Sequence, residues 1–275
     1  MKQKVLAGII AMGLFGAMQA ASAQSSGVIR SLPKNGSWSV TPEFGTELGD
    51  NGLFTNSTSQ SVGASGTVAG KTLSVAVTVS SQGRDFKDVY KDAYSAGASF
   101  NYGLSESTEV FGRLKYTEAK SNEFDAANVN VAVTWGTVAV GANATVQGKL
   151  SNYNSWGFEI GGRHFFSTKD AFKPYIAPSI GFTKVDDIDL EYLKFGGTNI
   201  TTRASKMYKS TLAFNLGIGI GFRYDLSKTT AIGVETGYRY QDKLKANDDD
   251  LGSYGVNRSG KRSFMPLSVG VNIAF

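Results

Sequence analysis

The last nine residues of the chain alternate between apolar and small or polar side chains without interruption. Residues 267–275 read LSVGVNIAF and end on an aromatic residue. Because residues i, i+2 and i+4 of a β-strand share one face, this segment has one apolar face and one mostly polar face. The apolar face carries Leu267, Val269, Val271, Ile273 and Phe275. The pattern predicts a strand with one face suited to lipid and the other to water.

The same alternation recurs along most of the chain. It is clearest in residues 212–224, where Leu, Phe, Ile and Tyr alternate with Ala, Asn, Gly and Arg. A tilted strand of about 9 to 11 residues can cross a bilayer, so this segment is long enough. A strict reading predicts eight such strands, over residues 38–46, 94–104, 110–117, 156–166, 175–183, 212–224, 232–240 and 264–275.

The strand count depends on two long stretches between these segments. An eight-strand reading leaves loops of roughly 50 and 40 residues, well beyond ordinary loop lengths. Both contain alternating sequence, at residues 62–68, 73–79, 129–135 and 138–144. If these segments form two further hairpins, the total is about twelve strands, an even number as expected for a membrane barrel. We predict twelve strands, with eight as the alternative.

The N-terminus has the features of an export signal. Lys2 and Lys4 precede an uncharged apolar stretch, and small residues at 21–23 precede Gln24. This predicts a cleavable signal peptide over residues 1–23, whose apolar part is too short to span a bilayer stably. Removing it lowers the formal charge from +5 by its two lysines. We predict a polar periplasmic lead-in over residues 24–36 and a barrel domain over residues 37–275.

Composition narrows the class further. The chain has no cysteine, which excludes disulfides and thiolate chemistry. Beyond residue 23 there is no apolar run of about 18 residues, so membrane insertion requires a closed barrel. The small and unclustered positive charge excludes a nucleic-acid interface. We predict an all-β, antiparallel, up-and-down transmembrane barrel with short periplasmic turns and longer extracellular loops.

Strand parity directs a set of charged residues into the barrel. Charges on the lipid face would cost about 2 to 4 kcal/mol each near the midplane, so we place these residues in the lumen. One interpretation pairs them as salt bridges that fill a narrow barrel; the other leaves basic residues unpaired as a weakly anion-favouring constriction. The residues are Glu43, Arg113, Lys115, Glu159, Arg163, Arg223, Glu235 and Arg239.

Candidates for catalysis or metal binding are few. The single histidine, His164, falls near the short-turn end of its strand with apolar-face parity, which favours a structural role at the interface. Acidic residues cluster at 186–189 and 248–250, and carboxylates can bind Ca²⁺ or Mg²⁺. Neither cluster has the twelve-residue Ca²⁺-loop spacing, which favours solvated loops. We therefore expect no enzymatic activity, metal or cofactor.

The terminal pattern that ends at Phe275, together with residues 161–166 (GGRHFF) and 172–181 (FKPYIAPSIG), resembles the porin-like outer-membrane β-barrel proteins of Gram-negative bacteria. The resemblance implies an outer-membrane location, contact with membrane lipid and lipopolysaccharide, and recognition of the terminal strand by the barrel assembly machinery. It leads to the hypothesis of a channel for small hydrophilic solutes. The alternatives are a plugged barrel with a structural or adhesive role through its outer loops and, more weakly, an outer-membrane enzyme.

Overall fold

The computed structural model describes residues 35–200, 205–247 and 260–275. The predicted signal peptide, most of the predicted lead-in and the acidic residues 248–250 lie outside the described residues. Those three predictions therefore stay predictions.

The described chain is built almost entirely from β-strands. Its one short helix, α1 (Phe86–Val89), follows β5. No helix among the described residues is long and apolar enough to span a bilayer. In chain order the strands are β1 (Trp38–Asn51), β2 (Leu53–Thr55), β3 (Thr58–Val68), β4 (Lys71–Ser81), β5 (Arg84–Asp85), β6 (Ala93–Gly103), β7 (Thr108–Ala119), β8 (Glu123–Trp135), β9 (Val138–Leu150), β10 (Tyr153–Phe165), β11 (Phe172–Val185), β12 (Ile188–Phe195), β13 (Thr198–Ile200), β14 (Ser205–Lys209), β15 (Thr211–Asp225), β16 (Thr230–Gln241), β17 (Lys245–Ala246) and β18 (Arg262–Ala274).

Eight of these strands close into a barrel in the order β1-β18-β16-β15-β11-β10-β7-β6, and β6 pairs back onto β1. All neighbouring strands are antiparallel. The first and last strands are adjacent, with Ser39 opposite Ala274 in the register. Closure leaves no free edge, so every strand has two hydrogen-bonded neighbours, as a bilayer requires.

The prediction of twelve barrel strands was wrong, and the alternative of eight is correct. The additional hairpins exist as β3 with β4 and β8 with β9, but they pair with each other in a second sheet. Strand β1 pairs directly with β6, and β7 pairs directly with β10, so the barrel closes without the hairpins. The alternation correctly indicated strands, but it could not indicate which sheet they join.

The second sheet has eight strands: seven follow the order β17-β14-β12-β9-β8-β4-β3, and β13 pairs with β12. We call it the outer sheet. All its strands come from the long connections at one end of the barrel. At the opposite end, the turns after β6, β10 and β15 are short, and the terminal strands meet there, where the Phe275 amide donates to the Trp38 carbonyl oxygen. The barrel therefore has a short-turn end and an outer-sheet end.

The barrel has an apolar outer face. Large hydrophobic side chains on its strands point away from the interior, including Phe100, Ile160 and Leu216, each at least half exposed. Exposed aromatic residues such as Trp38, Tyr94 and Phe166 lie near strand ends, where interfacial girdles occur in membrane barrels. A closed barrel with this outer surface is built for a hydrocarbon environment.

A buried hydrophobic cluster joins the barrel to the outer sheet. It contains the outer ends of barrel strands, through Ala93, Ala119 and Val185, and residues of the outer-sheet strands. We call this cluster the outer core. Its largest side chains are Phe54, Phe86, Tyr90, Tyr153 and Tyr208, which pack ring against ring with centroids 4.7–6.1 Å apart. The outer core therefore lies between the barrel interior and the outer sheet.

Glycine allows the closest approach of strands in the barrel wall. Replacing glycine by alanine should therefore change the free energy of unfolding very differently at two positions. A Cβ at Gly181 would lie 2.1 Å from the Phe158 carbonyl oxygen, whereas nothing lies within 4 Å of a Cβ at Gly112. We expect Gly181→Ala to lower the free energy of unfolding by about 1 to 3 kcal/mol because of overpacking. Gly112→Ala should be neutral or stabilising by up to about 1 kcal/mol. Urea unfolding in lipid vesicles measures both; equal effects would contradict the close approach.

Candidate functional site

The centre of the barrel is organised around one carboxylate, Glu235 on β16. It accepts from Arg113 Nη2 at 3.0 Å, from Arg163 Nη2 at 3.4 Å and from Arg239 Nη2 at 3.4 Å. The Tyr175 hydroxyl also donates to it at 3.1 Å. These partners lie on β7, β10, β11 and on β16 itself, so Glu235 connects four strands across the interior.

The arginines around Glu235 are shared with other carboxylates. Arg113 lies 2.8 Å from Glu43 and 3.4 Å from Glu159, and Arg239 lies 3.6 Å from Glu159. The side chains of all five residues are no more than 10% exposed. Charges buried this deeply are tolerated only when they are paired and hydrogen-bonded. The centre of the barrel is therefore a connected ion-pair network.

Towards the short-turn end, Glu109 bridges two arginines. It pairs with Arg163, and its Oε1 lies 2.7 Å from Arg223 Nη2. The guanidinium groups also stack on aromatic rings, with Arg163 4.6 Å from the Phe111 ring centroid and Arg223 4.9 Å from that of Phe165. Such stacking adds a favourable cation–π contribution. Arg163 connects this group to the centre through its bond to Glu235.

Towards the outer sheet, Arg262 bridges two carboxylates. It pairs with Glu47 and with Asp50 at the outer end of β1. Its guanidinium lies 4.1 Å from the Phe86 ring centroid and 5.0 Å from that of Tyr153, both in the outer core. Arg262 thus joins the charged interior of the barrel to the apolar cluster above it.

The paired charges in the described barrel interior balance. Every one of the eight residues that parity directs inward lies in at least one ion pair, so these basic residues are not left unpaired. The basic members are Arg113, Lys115, Arg163, Lys173, Arg223, Arg239 and Arg262, and the acidic members are Glu43, Glu47, Asp50, Glu109, Glu159, Asp225 and Glu235.

Little free space remains around the central pairs, whereas a groove of about 480 Å³ borders Glu47 and Asp50 at the outer end of β1. The cavity that borders Glu43, Arg113 and Glu235 holds about 20 Å³, and the cavity that borders Glu47 and Arg262 holds about 10 Å³. A cavity of about 10 to 15 Å³ is needed to hold a single water molecule. Each of these two cavities is therefore large enough for about one water molecule and too small for a hydrated ion.

Six members of the network were missed in the sequence analysis: Glu47, Asp50, Glu109, Lys173, Asp225 and Arg262. Each lies just beyond the boundary predicted for its strand. Glu109 shares the parity of Arg113, and Glu47 shares the parity of Glu43. Extending each strand by a few residues at the same parity would have found both of these carboxylates.

The other residues singled out in the sequence lie outside this network. His164 is exposed, 3.2 Å from the Thr108 hydroxyl and edge-on to the Phe166 ring. Asp187, beyond the end of β11, accepts from Lys206 at 2.8 Å and from the Ser210 amide, and these bonds lower the pKa of its carboxyl. The terminal residues Leu267, Val269 and Phe275 are exposed on the outside; the assembly role of that apolar stripe stays a prediction.

A closed, even-numbered, antiparallel barrel with an apolar exterior and a charged interior is the architecture of outer-membrane β-barrel proteins. The chain forms a closed antiparallel barrel of eight strands with this architecture. No protein-family model matches the chain, and no curated protein sequence matches it.

The chain is similar to several solved structures, at low sequence identity and with TM-scores below 0.5. OprG of Pseudomonas aeruginosa is 16% identical with a TM-score of 0.45, over 90% of this chain and 99% of that one. Neisserial surface protein A (NspA) is 13% identical with a TM-score of 0.41, over 89% of this chain and 100% of that one. Ail of Yersinia pestis, solved with the heparin analogue sucrose octasulfate, is 10% identical with a TM-score of 0.40, over 88% and 99%.

We expect removal of a buried carboxylate of the network to lower the free energy of unfolding much more than removal of an exposed one. Glu235→Ala leaves Arg113, Arg163 and Arg239 without their shared acceptor, so we expect the free energy of unfolding to fall by about 3 to 5 kcal/mol. The matched control is Glu191→Ala, which removes the exposed 3.0 Å pair with Lys149 in the outer sheet and should change little, because water solvates both groups. Urea titration in vesicles measures both. A Glu235→Ala protein as stable as the control would contradict the network.

Proposed function

We propose that this protein is a filled outer-membrane barrel that anchors the outer sheet at the cell surface, where that sheet binds a partner. The observation that carries the proposal is the barrel interior, where the cavity beside Glu235 holds only about 20 Å³ and the cavity between Glu47 and Arg262 only about 10 Å³. An eight-stranded barrel is just wide enough for its own side chains to fill, so a closed interior is expected from the strand count as well.

The share of the chain outside the barrel supports the same proposal. Strands β3, β4, β8 and β9 have 11 to 13 residues each, as long as several barrel strands, although the barrel closes without them. Long connections that build their own ordered structure are commonly functional. The outer sheet also packs on the outer core, which holds it in a fixed position on the barrel.

A channel for small hydrophilic solutes is the competing function, and it was the first hypothesis from the sequence. It followed from the resemblance to porin-like barrels, and a barrel of twelve strands would have been wide enough for an aqueous passage. Eight strands, together with balanced ion pairs across the interior, favour the plugged alternative instead. The channel hypothesis therefore needs a rearrangement of the network to open a path.

Membrane lipid is the partner of the barrel's apolar exterior. Lipopolysaccharide contact, recognition by the barrel assembly machinery and placement of the outer sheet on the extracellular side are parts of the proposal. They follow from the short turns at one end, the long connections at the other and the terminal apolar stripe. Absence of enzymatic activity stays a prediction; in the described chain His164 contacts a threonine and a phenylalanine.

Planar-bilayer conductance separates the filled barrel from the channel. We expect refolded wild-type protein to give no discrete steps, because ion-paired side chains cross the interior between opposite strands. The double variant Arg113→Gly/Glu235→Gly removes two central side chains and should give brief openings, whereas Lys149→Gln in the outer sheet should stay silent. Folding of each protein is checked by heat-modifiable gel mobility. Stable, reproducible steps from folded wild-type protein would contradict the proposal and establish a channel.

A further inference from the structure

The outer sheet curves around a cavity of about 310 Å³. Side chains from β3 at one end of the strand order and from β14 near the other end line the same space, so the sheet is rolled rather than flat. The floor of the cavity is formed by Leu150, Leu190 and Met207, which belong to the buried outer core. The cavity therefore opens from the outer sheet and ends on the apolar cluster above the barrel.

The lining is apolar and carries no charged side chain among the described residues. Successive lining positions alternate along the strands, for example Val77 and Val79 on β4, while their neighbours Ala76 and Thr78 face the other side. The ion pairs of the sheet, Lys149 with Glu191 and Lys194 with Glu123, involve none of the lining residues. One face of the rolled sheet thus encloses an uncharged space, and the charges lie elsewhere.

Most hydroxyl groups that line the cavity form hydrogen bonds within the protein. The Thr58 and Ser81 hydroxyls bond each other at 2.9 Å, and the Thr55 hydroxyl accepts from the Arg84 amide at 3.0 Å. The carboxamide of Gln60 lines the cavity without a hydrogen-bond partner in the described part of the chain. A bound molecule can therefore gain extensive apolar contact and one hydrogen bond, but no ion pair.

We propose that this cavity binds an uncharged, mainly hydrocarbon small molecule with a single polar group, such as a medium-chain alcohol. Dry apolar cavities of about 150 Å³ bind benzene, and ligand pockets begin near 300 Å³, so the volume suits one small molecule. The charge-free lining disfavours ions because a buried charge without a partner is costly. Because the cavity lies in the outer sheet, binding there does not depend on whether the barrel conducts.

The absence of cysteine from the chain permits a direct test by thiol protection. Val77→Cys places one thiol in the cavity, and Ala76→Cys places one on the opposite face of the same strand. Each protein, refolded in lipid nanodiscs, reacts with a water-soluble maleimide with and without n-decanol. At a free decanol concentration of about ten times its Kd, labelling of Val77→Cys should slow about tenfold, and that of Ala76→Cys should not change.

Two further arms make the result specific. Filling the cavity with Ala127→Phe in the Val77→Cys background should abolish protection by decanol; if that protein does not fold, Val79→Phe at the partly exposed wall replaces it. Decylammonium and decyl sulfate should protect at least about tenfold more weakly at equal free concentration, because either charge would lose hydration without gaining a partner.

Four results would overturn the proposal. Equal protection of both thiols would show partitioning without a site, as would equal protection by neutral and charged decyl compounds. Absence of protection at any soluble decanol concentration would show that the cavity does not bind such molecules. Slow labelling of Val77→Cys before any addition, with disulfide-linked dimers under oxidation, would show that a second copy of the chain covers this face. None of these results depends on whether the wild-type barrel conducts.

Discussion

The structure depends on pairing charges inside a barrel that is too narrow to hydrate them. Fourteen ionisable side chains point inward in the described barrel, and an unpaired charge there would cost several kcal/mol. Glu235 and Glu109 each accept from more than one arginine, and these shared carboxylates pair most of the buried arginines. The bonds cross the interior between distant strands, so the same contacts that neutralise the charges also fill the space.

The filled interior determines what the rest of the molecule can do. Arg262, which pairs with Glu47 and Asp50, stacks against Phe86 and Tyr153, so the charged interior contacts the outer core directly. The outer core in turn supports the rolled sheet and forms the floor of its cavity. The barrel therefore acts as a rigid base, and the surface available for recognition lies in the long connections, in agreement with the general location of binding sites on loops held by a scaffold.

The sequence was sufficient for the barrel itself. All eight segments of the strict reading became barrel strands, because leucine, isoleucine and aromatic residues alternate there with small or charged ones. The number twelve failed because β3, β4, β8 and β9 alternate equally well. Their apolar positions are mainly valine and alanine, as at Val75, Val131 and Ala142, with few of the large residues that cover the barrel exterior. Residue size, in addition to alternation, separates the two sheets.

The ion-pair partners and the cavity could not be predicted in the same way. Parity directs Arg113 and Glu235 to the same interior, but their contact joins residues 122 positions apart and depends on the closed strand order. The cavity needs Thr58 and Met207 to line one space, which follows only from the rolling of the outer sheet. Both features are properties of strand order and curvature, which local sequence does not encode.

The most direct test of a filled interior is the reactivity of a thiol placed within it. Ser99 is fully buried opposite Arg113 on the inner wall, and Ser99→Cys is nearly isosteric. We predict that this thiol in folded, membrane-embedded protein stays unmodified by a small water-soluble methanethiosulfonate and reacts after denaturation, while Ser59→Cys in the outer sheet reacts at once. Rapid modification of Ser99→Cys in the folded protein would show that water reaches the interior, and the barrel would then not be filled.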